Sequence, residues 1–273
     1  MEPINLEAMK PLLKEMEIPQ DSTPSLLDLT EDDEEIEEGD LENPDFPNFL
    51  LYGPSGHGKT SFTEDAPQPE WWDYENSTDV LPDVLRFDPN RVFHPSKARD
   101  VHSETLRLLK GIPERGNKTV IIDSITSMQD KFLLEYMRKV ETESKGRRSR
   151  YEPLFQDYRM ITGKMREIFY ELGKAPVNVI FVAHELHVME RQDDGSEKLL
   201  QVRPELTPRV ELIIRRMVSL IGYLEAEYSA MGARKTRLVV NPGYNKIVAK
   251  NRLRIKEPFL INPTWEELFA KRP

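Results

Sequence analysis

The sequence predicts an α/β fold with a mainly parallel central sheet flanked by helices, and three observations lead to it. Short apolar runs, Phe49-Leu50-Leu51-Tyr52, Thr119-Val120-Ile121-Ile122 and Val177 to Ala183, each stop at a glycine or at polar residues. Helical patterns lie between them, most clearly from Tyr158 to Leu172, where Met160, Ile161, Met165, Ile168, Phe169 and Leu172 recur at helical spacing. The first run leads into a glycine-rich loop and then Lys59-Thr60-Ser61-Phe62, which can open a helix. Strands covered on both faces read as continuous apolar segments, and their alternation with helices marks an α/β sheet.

Ahead of the first strand, residues 1–46 hold 16 acidic and 2 basic side chains, which leaves 36 basic and 32 acidic for the remainder. Leu6, Met9, Leu12, Leu13 and Met16 are spaced for a short amphipathic helix before Pro19. From Gln20 to Pro47 the chain is too rich in Asp, Glu, Ser and Pro to bury a core, so an acidic, largely disordered linker or tail is expected. The chain therefore divides into residues 1–46, open to a protein partner, and a folded domain over 47–273. Within that domain Leu206 to Tyr228 reads as helix then strand, Arg237 to Asn241 as a strand, and Ile247-Val248-Ala249 as another.

Composition excludes several chemistries. With no cysteine and five scattered histidines, neither disulfides nor a structural zinc site is expected. His184-Glu185-Leu186-His187 sets its histidines three apart, one short of the zinc-protease spacing. No stretch approaches the roughly 20 apolar residues of a membrane span, and Met1-Glu2-Pro3-Ile4 does not open a signal peptide. A cytoplasmic protein is the expectation.

The strongest motif is Gly53-Pro54-Ser55-Gly56-His57-Gly58-Lys59-Thr60, followed by Ser61, which meets G-x-x-x-x-G-K-[ST] at every defined position between a strand and a helix. Glycines let the backbone turn so that successive N–H groups face phosphate oxygens, and the helix start adds partial positive charge. Lys59 is expected to reach the β- and γ-phosphates of ATP, and the Thr60 hydroxyl to ligate Mg2+. Asp123, ending an apolar run, is the candidate acid for the magnesium shell, although an aspartate there could also simply cap the next helix. Hydrolysis needs a group that activates water; Glu75 is the candidate, with Asp73 and Asp79 as alternatives.

With these motifs in order, residues 48–270 resemble the RecA-like ATPases, and most closely the AAA-domain nucleotide-binding proteins of tailed phages regarded as RecA-like single-strand annealing proteins. The resemblance runs through Gly53–Thr60, Asp73-Tyr74-Glu75, Val120 to Thr126, Phe181 to Glu185, Ala249-Lys250-Asn251-Arg252 and Leu260 to Trp265. It implies a RecA-like P-loop core in which Glu75 activates water and His184 senses the γ-phosphate. Lys250 and Arg252 look like a basic finger that reaches the nucleotide of an adjacent subunit in a ring or filament. Two loops would bind single-stranded DNA: one with Lys145, Arg147, Arg148, Arg150 and Tyr151, the other over His187 to Arg203 with Arg191. Trp71-Trp72 stands where an aliphatic strand is usual in that family.

The resemblance implies an ATP-hydrolysing protein that assembles on single-stranded DNA and promotes annealing in recombination. A DnaB-like helicase or translocating motor, and a nucleotide switch with little turnover, are the alternatives.

Overall fold

The three apolar runs have no face to offer water, so each needs a strand on both sides and a covering layer above and below. In the computed structural model, which describes residues 45–80, 89–192, 194–228, 234–241 and 246–270, they become the interior of the sheet. The strands are β1 (Phe49–Gly53), β2 (Pro69–Asp73), β3 (Val92–Phe93), β4 (Thr119–Asp123), β5 (Asn178–Arg191), β6 (Glu197–Pro204), β7 (Leu220–Tyr228), β8 (Arg234–Val239), β9 (Lys250–Asn251) and β10 (Phe259–Ile261). The helices are α1 (Lys59–Phe62), α2 (Val101–Lys110), α3 (Ile112–Arg115), α4 (Ile125–Glu143), α5 (Phe155–Lys174), α6 (Pro208–Met217) and α7 (Trp265–Ala270). The amphipathic helix expected near Leu6–Met16 and most of the acidic linker lie outside the described residues.

The sheet order is β10-β8-β7-β1-β5-β4-β2-β3, with β6 on β5 and β9 on β7. Every neighbour pair from β7 to β3 is parallel, while β6, β8, β9 and β10 pair antiparallel. Phe49 to Tyr52 and Val120 to Ile122 are fully buried. Parallel register aligns Gly53 with His184 and Asp73 with Asp123, so strand ends that are distant in sequence meet at one edge.

The tryptophan pair is accommodated by giving each indole N–H a partner. Trp71 donates to Thr63 Oγ1 at 3.0 Å, and Trp72 donates to Glu70 Oε1 at 2.7 Å. Glu70 is itself buried and takes two 2.6 Å bonds from Arg115, which pairs its charge as burial demands. At the other end, Trp265 packs on Phe49 and Phe62, with its Nε1 donating to the Phe62 carbonyl at 2.6 Å. The closing segment thus fastens the C-terminal end of α1.

Three expectations are corrected. Ile247-Val248-Ala249 is not a strand: Ile247 makes a single bridge to Val202, and regular pairing falls on Lys250–Asn251. Instead, the buried Tyr52 hydroxyl bonds the Val248 and Val202 carbonyls at 2.7 and 3.1 Å, holding the segment as a brace. Residues 187–203 are not a loop but a hairpin. β5 continues past His184 to Arg191 because β6 supplies the partner its backbone groups need. The Arg237–Asn241 strand begins earlier, at Arg234, and stops at Val239.

Candidate active site

The phosphate loop is built against β7. Gly53 has φ +153°, and a Cβ there would sit 2.1 Å from the Leu224 carbonyl oxygen, so only glycine permits the approach. Gly58 caps α1 with φ +79°, turning the chain from loop into helix. His57 accepts the Ala226 amide at Nδ1, 3.1 Å, which ties the loop to the next strand. Inside the loop Lys59 is buried and donates to the Gly53 and Pro54 carbonyls at 2.8 and 2.9 Å. Burial lowers its pKa, while the carboxylates of Asp123, Glu75 and Glu185 pull the other way. A desolvated ammonium held among carbonyl dipoles suits a polyanion such as a triphosphate.

Across the β1–β5–β4 edge stands Asp123, buried, with Thr60 Oγ1 donating to its Oδ2 at 2.5 Å and Ser77 Oγ at 3.2 Å. Burial pushes the Asp123 carboxyl up to about 6, helped by the charges of Glu75 and Asp73 and opposed by the hydroxyls of Thr60 and Ser77. Hard oxygen donors about one carboxylate fit Mg2+, which keeps several waters and takes its remaining ligands from phosphates. Among the described residues no cluster of three or more His, Asp or Glu forms a metal cage, so phosphate oxygens would complete the shell.

Glu75 follows β2 by two residues. Its Oε1 accepts from the hydroxyls of Ser124 and of Ser127, the latter at 3.1 Å, and lies 2.5 Å from His184 Nε2. Burial would raise Glu75, but the bonds from His184, Ser124 and Ser127 outweigh it and hold the carboxyl at about 2. The same contact raises His184, against the effect of its partial burial.

Asp73, one of the alternatives for water activation, is committed elsewhere. Its fully buried carboxylate accepts the backbone amides of Glu75, Ser77 and Thr78 at 2.9, 3.2 and 2.9 Å and the Thr78 hydroxyl at 2.6 Å. It folds residues 75–78 so that Glu75 and Ser77 both face Asp123. The Asp79 side chain lies outside the described residues.

Lys59, Thr60, Glu75, Asp123 and His184 thus come together at the C-terminal ends of four strands. Lys250 and Arg252 do not join them. Lys250 pairs with Ile221 near the start of the parallel strands, and its ammonium bonds the Arg215 and Val218 carbonyls, each at 2.5 Å, at the end of α6. The Arg252 amide donates to Ser219 at 2.9 Å at the same end. In the α4–α5 connection Lys145, Arg147 and Tyr151 are exposed, Tyr151 by 79%. Arg148 instead pairs with buried Asp157 and Arg150 with Glu141, both at 2.5 Å. Arg191 stands on the hairpin, opposite Glu197.

Ser77, Ser127 and the clamp by Asp73 escaped the sequence reading. Aspartate followed two residues on by an amide it can accept is the pattern of an Asx turn, and Asp73-Tyr74-Glu75 carries it.

A parallel sheet with this loop at its carboxyl edge, a buried aspartate facing the loop threonine and helices on its faces defines a P-loop nucleoside triphosphatase core. A family model described as an AAA domain matches residues 46–253, and the chain belongs to that family. It is a nucleotide-binding P-loop ATPase domain on that ground. No curated protein matches the sequence. No helix among the described residues is long and apolar enough to cross a membrane.

The His184–Glu75 pair carries a pH signature. Glu75 is held at about 2 against an ordinary 4.5, so its share of stability is complete above pH 4.5 and is lost as the pH falls toward 2. His184 is raised above its ordinary 6.5, so its share is complete below 6.5 and is lost as the pH rises through the raised value. The gap in thermal midpoint between wild type and His184→Asn is therefore expected to be widest between pH ~4.5 and ~6.5 and to narrow as the pH rises through the raised His184 value. A gap of constant width, followed by calorimetry across that range, would mean the two side chains are not coupled.

Proposed function

We propose that the chain is a RecA-like ATPase that binds single-stranded DNA and promotes annealing during recombination, in the DNA metabolism of a tailed phage. The observation that carries the enzymatic half is the convergence of Lys59, Thr60, Asp123, Glu75 and His184 on one sheet edge. In this reading the loop amides and Lys59 hold the β- and γ-phosphates, while Thr60 and Asp123 hold the metal. Mg2+, when bound, neutralises phosphate charge during transfer. Glu75 orients the attacking water, since a carboxylate held at about 2 is ionised at neutral pH and can accept its hydrogen bond. His184, at the root of the β5–β6 hairpin, links that carboxylate to the hairpin and acts as the phosphate sensor.

One feature supports assembly with nucleotide at subunit junctions. Lys250 and Arg252 sit at the edge of the sheet away from their own phosphate loop, the place from which a cation serves a neighbouring copy rather than its own site. Lys250 would exchange two carbonyl bonds for a phosphate. For DNA, exposed Lys145, Arg147 and Tyr151 supply cations beside a ring that can stack on a base, as a sequence-tolerant groove requires. Arg148 and Arg150, held by Asp157 and Glu141, shape the connection instead.

The test is binding of a labelled single-stranded oligonucleotide in ATP and Mg2+ across a salt series. Affinity is expected to fall steeply with salt, and Lys145→Ala or Arg147→Ala to reduce the log–log slope by about 0.7 each, the value for one phosphate contact on a single strand. No binding at low salt would end the DNA reading. Unwinding of a forked duplex would point to a helicase instead.

A further inference from the structure

The groups that would surround the terminal phosphate all lie on one side of β1. Asp123, Glu75 and His184 come from β4, the segment after β2, and β5. A triphosphate running along the loop with its γ end toward them must carry its nucleoside out the other way, past Ser61 and over β7 and β8. On that side a groove opens beside α1, lined by Gly58, Ser61, Phe62, Asp65 and Thr236. Its volume, about 210 Å³, is below the ~300 Å³ from which pockets enclose a whole drug-sized ligand, so it suits one heterocycle rather than a complete nucleotide.

The lining has the chemistry of a base site. Phe62 offers an apolar wall and is fixed from behind by Trp265, whose ring lies 4.9 Å away and whose indole N–H holds the Phe62 carbonyl at 2.6 Å. Thr236 is anchored on β8, its amide donating to Asn262 Oδ1 at 2.8 Å and its carbonyl accepting the Asn262 amide at 2.8 Å. Asp65 is exposed, and a carboxylate can only accept hydrogen bonds.

We propose that this groove receives a purine base and that, among purines, Asp65 selects those carrying an exocyclic amino group. The inference rests on Gly53–Thr60 holding the phosphates. Adenine and guanine share the amino group, and paired analogues tell them apart: purine riboside triphosphate is ATP without it, and inosine triphosphate is GTP without it.

Calorimetric titration of the full chain with these four nucleotides and Mg2+ tests the proposal. In one of the two pairs the amino nucleotide is expected to bind about tenfold tighter, the order of one hydrogen bond to a charged group. Asp65→Ala is expected to bring the two members of that pair to equal affinity. Because Asp65 is exposed and lies outside helix and strand, the variant keeps the fold, which its binding of both nucleotides verifies in the same experiment. Equal binding within both pairs, or a preference that survives Asp65→Ala, overturns the base assignment while leaving the phosphate site intact. If wild type binds none of the four, the phosphate reading has failed and this one falls with it.

Discussion

Lys59→Ala is expected to abolish both ATP turnover and the thermal stabilisation that Mg-ATP confers. The ammonium is buried inside the loop and presented by two backbone carbonyls, so alanine leaves a void where the phosphates need a cation. A ligand at a hundred times its Kd adds about 2.7 kcal/mol to the folded state. For a folded region of this size that is a rise in thermal midpoint of roughly 5–10 °C. The variant should show no rise. Turnover should fall by at least 10²- to 10³-fold, the usual loss when one donor to developing negative charge is removed. The decisive measurement is the midpoint with and without Mg-ATP for both proteins, since it reports binding even if turnover is slow. A full ligand-induced rise in Lys59→Ala would show that nucleotide is held elsewhere.

How much of this was legible before the structure depended on whether a residue's partners were local. Gly53–Thr60 is a contiguous motif whose spacing is set by the phosphate cradle itself, so the sequence displays the loop complete. The strand β1, β4 up to Ile122 and the first part of β5, Asn178 to Ala183, announce themselves because both faces are buried and no charge interrupts them. Glu75 was harder. Its meeting with Ser124, Ser127 and His184 follows from the parallel register of β2, β4 and β5, which no local pattern encodes. The same limit applies to Arg148 and Arg150: a run of cations reads as a polyanion surface until Asp157 and Glu141 are seen to engage two of them. The β5–β6 hairpin was hidden because its alternation of polar and apolar residues is broken by a register shift between Val188 and Met189. Lys250 shows the reverse case, a motif position legible in order along the chain but placed by β9 at the far end of its own sheet.

The second large effect concerns Glu75 and the aspartate that positions it. Glu75→Gln is expected to bind Mg-ATP as wild type does but to hydrolyse it on the order of 10²-fold more slowly, the cost of misplacing the attacking water. Asp73 makes a sharper test because its hydrogen bonds go to residues 75–78 and not to the phosphate loop. Replacing its carboxylate by the isosteric amide in Asp73→Asn puts an NH2 where one oxygen accepts the amides of Glu75 and Ser77 or the other accepts the amide and hydroxyl of Thr78. Residues 75–78 then lose the clamp, and misplacement of a catalytic group by about 1 Å costs on the order of 10²-fold in rate. If that loss is transmitted through Glu75, Asp73→Asn should change little in a chain that already carries Glu75→Gln, because groups acting as one unit are strongly non-additive. Single-turnover hydrolysis by the four proteins of the cycle, with Mg-ATP affinity measured alongside, separates the cases. Rate losses that multiply in the double variant would mean that Asp73 acts by a route other than Glu75, through the fold or through its charge beside Asp123, and an unimpaired Glu75→Gln would shift water activation to another residue.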